Sequence, residues 1–157
     1  MKRFRALGHP LHTPLTHFPL ALWTAGFLGD LLCLWRSEVF WWHFAFWNIA
    51  LGLVIGCLTL LTGFYDFLFV PEDNPVAAKT ATWHMMVMLT AACFFGVSLY
   101  FHSGGEALMS ARLTPALILS GVGTLCLQAG GWLGGQLVYR HRIGYDDGYP
   151  KVEGRKP

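Results

Sequence analysis

The sequence predicts an all-α integral membrane protein built as a bundle of four membrane-spanning helices. Three observations carry that reading. Of the 157 residues, 54% are hydrophobic and only 13% charged, against roughly 45–50% apolar and about 25% charged in soluble domains. The apolar excess is gathered into four runs, residues 18–35, 43–70, 78–102 and 113–139, each at or above the roughly 17–25 residues that an α-helix needs to cross the hydrocarbon core. The cations are also asymmetric: Lys2, Arg3, Arg5, Lys79, Arg140, Arg142, Lys151, Arg155 and Lys156 fall on one side of this layout, and only Arg36 and Arg112 on the other. By the positive-inside rule both termini then face the cytoplasm. The net charge of +2 follows from the topology, so the partner it implies is a lipid bilayer and not nucleic acid.

Residues 1–17 read as an interfacial leader. The basic MKRFR ahead of an apolar run suggests a signal peptide, but a proline-rich stretch separates the two and no small-x-small cleavage site closes the run near Trp35. Within GHPLHTPLTHFP, residues 8–19, three histidines stand among three prolines. Pro10, Pro14 and Pro19 remove backbone donors and bias their predecessors away from the α region. The expectation is an irregular segment that folds back over the mouth of the bundle and tilts His9 or His12 inward.

Helix one, 18–35, is followed by a first outer loop crowded by Trp35, Trp41, Trp42 and Trp47, where indole rings favour the headgroup zone. Helix two carries Gly52 and Gly56, and helix four carries Gly130 with Gly134 and Gly131 with Gly135. Such small-xxx-small spacing lets backbones approach closely in lipid, either within the chain or in a homodimer through helix four. Cys33, Cys57, Cys93 and Cys126 fall one per helix, none in a CxxC pair, which suits small apolar packing residues. The tail, 140–157, reads as a short solvated extension, and its Asp146 and Asp147 lack the pattern of a calcium loop.

Polar residues at membrane depth are expensive and therefore informative. Asp30 lies toward the outer end of helix one and Asp66 toward the inner end of helix two. His84 lies about six residues into helix three, roughly 9 Å deep at about 1.5 Å per residue. His17 directly precedes helix one, His9 and His12 come before it, and His141 follows helix four. Five of the seven histidines thus gather with Asp66 at the inner face, while His43 and His102 lie at the outer one. Neutral imidazole is the commonest metal ligand and the usual axial ligand of b-type haem.

Four motifs, GHPLHTPLTHFPLALW at 8–23, LTGFYD at 61–66, ATWH at 81–84 and GGWLGGQLVYRH at 130–141, resemble in order the bacterial membrane family known as domain of unknown function 2231. The resemblance spans nearly the whole chain and implies a small four-span inner-membrane protein with His9, His12, His17, Asp66, His84, Gly134 and Gly135 as signature positions. The chain departs from the family pattern twice. Thr13 stands where proline usually follows the second histidine, and Arg142 stands where glycine is usual. The family is also grouped with two-haem membrane cytochromes, which implies haem by analogy of fold.

Two functions follow as expectations. The first is a redox-accessory subunit holding one haem b near the cytoplasmic face. His17 and His84, which share a depth on different helices, are its expected axial ligands, with His12 and His9 nearby; electrons would pass to or from quinone or a partner dehydrogenase. A second haem on His43 and His102 would leave about 27 Å of helix between His84 and His102, long for two haems inside a core of about 30 Å. The second function is a non-redox protein in which His9, His12, His17, Asp66 and His84 form a divalent-metal site or a structural polar cap. No inverted repeats or broken helices suggest a transporter, and no nucleophile elbow, HExxH or phosphate loop suggests a hydrolase.

Overall fold

The computed structural model describes residues 5–6, 9–70 and 74–143, with side chains from Leu11 onward. The cations at 2, 3, 151, 155 and 156, Asp146 and Asp147, and the side chain of His9 lie outside the described residues. Four long helices form the bundle: α1 His12–Arg36, α2 Val39–Phe67, α3 Pro75–His102 and α4 Met109–Tyr139. All four are long and apolar enough to cross a membrane. A two-residue antiparallel pairing of Arg5–Ala6 with His9–Pro10 precedes α1. One end of the bundle, here the termini end, carries the start of α1, the end of α2, the start of α3 and the end of α4. The other, the hairpin end, carries the α1–α2 and α3–α4 turns.

The local signals explain the helix ends. Asn74 accepts the Ala77 N–H at 3.0 Å and Pro75 follows it as the first helical residue of α3, a position where a missing donor costs nothing. Ser37 takes a left-handed φ of 55° and returns its N–H to Cys33 O, so α1 turns into α2 through two residues. At the end of α4, Arg142 has φ 53° and the Ile143 N–H reaches back to Leu137 O at 2.8 Å. The helix thus closes through a left-handed residue, a conformation in which glycine is favoured.

The expected irregular leader is corrected by α1, which starts at His12 and runs through both Pro14 and Pro19. Pro14 lies in the first turn, where the N–H groups have no helical partner to lose. Pro19 deprives Leu15 O of its usual donor. The Thr59 hydroxyl of α2 stands 3.5 Å from that carbonyl, although its shorter bond, 2.9 Å, goes to Ile55 O. The prolines therefore mark the helix without ending it.

The chain folds as two copies of one hairpin. The buried positions of α2 recur on α4 71 residues later, Trp42 to Leu113, Ala45 to Ala116, Ile49 to Ser120, Gly52 to Gly123, Gly56 to Leu127 and Thr59 to Gly130. Between α1 and α3 the offset is 72, taking Pro19 to Ala91, Trp23 to Phe95, Gly26 to Ser98 and Asp30 to His102. Packing repeats with position: a Cβ on Gly52 would meet Trp23, and one on Gly123 would meet Phe95. The equivalent rings of Trp23 and Phe95 stack on each other with centroids 4.8 Å apart and planes 16° apart. A pseudo-two-fold axis therefore runs down the bundle between them, with α1 and α3 parallel, the arrangement of parallel repeats about the membrane normal.

Of the paired glycines, Gly130 and Gly134 are used inside the chain, against Met88 and His84, whereas a Cβ on Gly131 would meet nothing. Trp35 and Trp47 are exposed as expected of an aromatic belt, but Trp42 is 1% exposed and belongs to the core.

Candidate functional site

Two polar layers lie on the pseudo-two-fold axis, one on either side of the Trp23–Phe95 stack. The termini-end layer is a pair of equivalent imidazoles. His12 Nδ1 lies 3.0 Å from Thr59 O, and His84 Nδ1 lies 2.8 Å from Gly130 O, the same bond in each repeat. A carbonyl only accepts, so Nδ1 carries the hydrogen in both rings and Nε2 is left with its lone pair. Neither Nε2 has a hydrogen-bond partner among the described residues.

Glycines make room for both rings. A Cβ on Gly63 would come within 2.6 Å of His12 Cε1, and one on the equivalent Gly134 within 3.1 Å of His84 Cε1. His12 at the start of α1, Asp66 near the end of α2 and His84 on the first turns of α3 share the termini end of the bundle. Asp66 forms no ion pair with Arg140 or Lys79 among the described residues. At the same end the Nε2 of His141 is buried and unpartnered.

His17 does not join this layer, which corrects the expected His17–His84 pairing. It is exposed and its Nδ1 faces Thr13 O at 3.1 Å on its own helix. Once α1 is continuous from His12, the five residues between His12 and His17 rotate the second ring about 140° around the helix, so only one of the two can face the axis. Among the described residues no group of three or more His, Cys, Asp or Glu could hold an ion; the side chain of His9, a member of the metal reading's ligand set, lies outside them. His12, His84 and Asp66 share one end of the bundle without forming a cage, and His17 is exposed.

The hairpin-end layer was not foreseen as a site. Asp30 and His102, equivalent positions in the two repeats, meet across the axis with Oδ1 and Nε2 2.8 Å apart, and both side chains are fully buried. His102 Nδ1 donates to Ser98 O at 2.9 Å, and the Ser120 hydroxyl donates to Asp30 Oδ2 at 2.6 Å. Trp42 stacks on the imidazole at 4.2 Å between centroids. All four helices thus contribute to one layer in which each polar side-chain atom of Asp30, His102 and Ser120 has a partner, as a low-dielectric core requires.

His43, paired in the sequence reading with His102, instead lies on the exposed rim 2.8 Å from Glu106. The outer pair that the sequence reading weighed and disfavoured does not form: His43 follows Trp42 on α2, and a one-residue step turns the side chain about 100° away. The signal that could have revealed the true pairs was the spacing itself, since His12 to His84 and Asp30 to His102 both span 72 residues.

A family model described as "Predicted membrane protein (DUF2231)" matches residues 8–147. No curated protein and no solved structure matches the chain.

Proposed function

The chain belongs to the DUF2231 family of predicted membrane proteins, and from that premise we propose that it is a b-type haem-binding, redox-accessory subunit with His12 and His84 as the axial ligands. The observation that carries this reading is the equivalent anchoring of the two rings: each spends Nδ1 on a backbone carbonyl of its hairpin partner and keeps Nε2 free. Metal-ligating histidines hold their rings in this way, with the second nitrogen fixing tautomer and orientation.

Haem suits a two-imidazole layer better than a bare divalent ion does. Its iron arrives with four equatorial nitrogens and asks the protein only for axial ligands, whereas a bare ion needs a third and fourth donor that the described residues do not assemble. Bound there, haem would supply one-electron chemistry. The chain's own residues would hold the rings, exclude water through the apolar core beneath them, and place Asp66 near the charge that changes. Electrons would be exchanged with membrane quinone or a partner dehydrogenase at the cytoplasmic side of the inner membrane, the side the cation bias assigns to the termini.

The test is a dithionite-reduced minus oxidised optical spectrum of the detergent-purified protein, expressed with haem supplied. The wild type and His17→Ala should show a low-spin b-type spectrum, and His12→Ala and His84→Ala should lose it. A colourless wild type would end this reading; loss in His17→Ala and His84→Ala with the spectrum kept in His12→Ala would restore the ligand pair that the sequence suggested.

A further inference from the structure

The hairpin-end layer plays no part in haem ligation, and its hydrogen bonds fix how many protons it holds. His102 Nδ1 must carry a hydrogen, because its partner at 2.9 Å is the Ser98 carbonyl. Asp30 Oδ2 takes the Ser120 hydroxyl at 2.6 Å, a length typical of a hydroxyl bound to a carboxylate. The 2.8 Å contact between Nε2 and Oδ1 then has room for one proton. With that proton the pair is neutral overall; without it, a nitrogen lone pair faces a bare carboxylate.

We propose that Asp30, His102 and Ser120 form a one-proton site that exchanges its proton with the aqueous phase at the hairpin end. Ionisable groups in membrane spans commonly mark proton pathways, and three features place this one within reach of water. His102 is the last residue of α3 and Ser103 beyond it is exposed. The exposed His43–Glu106 pair joins the start of α2 to the α3–α4 connection at that end. His43 directly follows Trp42, whose ring lies on the His102 imidazole, so the rim pair is one residue along α2 from the side chain that covers the site.

The groups facing the site are Asp30 and Cys33 on α1, Trp42 on α2, Ser98 and His102 on α3 and Ser120 on α4. No lysine or arginine pairs with it among the described residues. In the release step the Nε2–H bond breaks, its electron pair stays on Nε2, and the proton goes to water directly or through His43. The layer passes from neutral to one negative charge, and rebinding reverses the step; no electron changes hands.

The experiment is nitrogen NMR of histidine-labelled full-length protein in lipid nanodiscs, transferred to D2O. The His102 resonances should show hydrogen on both ring nitrogens, with the Nε2 proton exchanging roughly a hundredfold faster than the amides of core residues such as Phe95. His43→Ala should slow that exchange several-fold without moving the ring resonances. Asp30→Asn keeps every hydrogen bond, since its Nδ2 can donate to Nε2 and its Oδ1 can accept from Ser120, and should remove the Nε2 proton. A His102 proton as protected as the core amides would overturn the proposal and leave a sealed clamp, and so would an Nε2 proton that survives Asp30→Asn. The wild-type measurement decides between exchange and protection even if a variant fails to fold, and needs no bound haem.

Discussion

Replacing Asp30 by leucine should be the most damaging single change in the hairpin half of the bundle. Its carboxylate bridges His102 at 2.8 Å and Ser120 at 2.6 Å, and all three side chains are out of contact with solvent. Leucine leaves His102 Nε2 without a partner in a dry core, and breaking a buried pair from one side costs about 3–5 kcal/mol. Ser120 suffers less, because its hydroxyl already lies 3.2 Å from Leu117 O and can turn to it. Asparagine, which can satisfy both neighbours, should cost less than about 1 kcal/mol on the same hydrogen-bond scale. Adding His102→Leu to Asp30→Leu removes the stranded ring, and replacement of both members of a buried pair by apolar groups is often close to neutral. The double variant should therefore recover at least about 2 kcal/mol of the single variant's loss, a coupling that only contacting residues show. Chemical unfolding in detergent micelles, followed by tryptophan fluorescence, measures these four species and the His102→Leu single variant that completes the cycle, and Trp42 against the imidazole is a built-in reporter. Equal losses for Asp30→Leu and Asp30→Asn, or strict additivity in the double variant, would refute the account of this layer.

Other changes test the remaining features. Arg142→Gly should stabilise the protein by about 1 kcal/mol, the usual penalty of a left-handed non-glycine residue, read as a shift in the unfolding midpoint at unchanged slope. Gly52→Ala and Gly123→Ala place a Cβ 2.5 Å from Trp23 Cδ1 and 2.9 Å from Phe95 Cε2; each should cost about 1–3 kcal/mol as overpacking, and similar losses at both would reflect the repeat. Gly63→Ala, 2.6 Å from His12 Cε1, should displace that ring and weaken haem retention far more than Gly131→Ala, whose Cβ would enter open space; a haem titration of the two variants compares them directly. Breaking the His43–Glu106 pair with Glu106→Gln should change stability by less than about 1 kcal/mol, as befits an exposed ion pair.

The histidine-rich leader shows where reading along the chain stops. By the intrinsic effect of each proline, three prolines among three histidines break a helix. Their consequence depends on position: Pro14 sits where no donor was due, and Thr59 on another helix approaches the carbonyl that Pro19 frees. His17 matches His84 in depth, but depth alone cannot say which way a ring points. The sequence marks His12 and His84 as candidate ligands and Asp30 as a carboxylate at depth. What was missing was the partner of each, and partners across a bundle are separated by 72 residues of sequence.

Composition, four long apolar runs and the placement of small residues were enough to determine an all-α membrane bundle with glycine-lined seams, because the bilayer leaves a chain of this polarity few ways to satisfy its backbone. Which histidine faces the axis, that Asp30 and His102 share a proton-sized gap, and that the two hairpins repeat one another were decided only by tertiary structure. Helix rotation and register set those outcomes, and both are fixed by the packing of side chains such as Trp23 against Gly52 and Phe95 against Gly123.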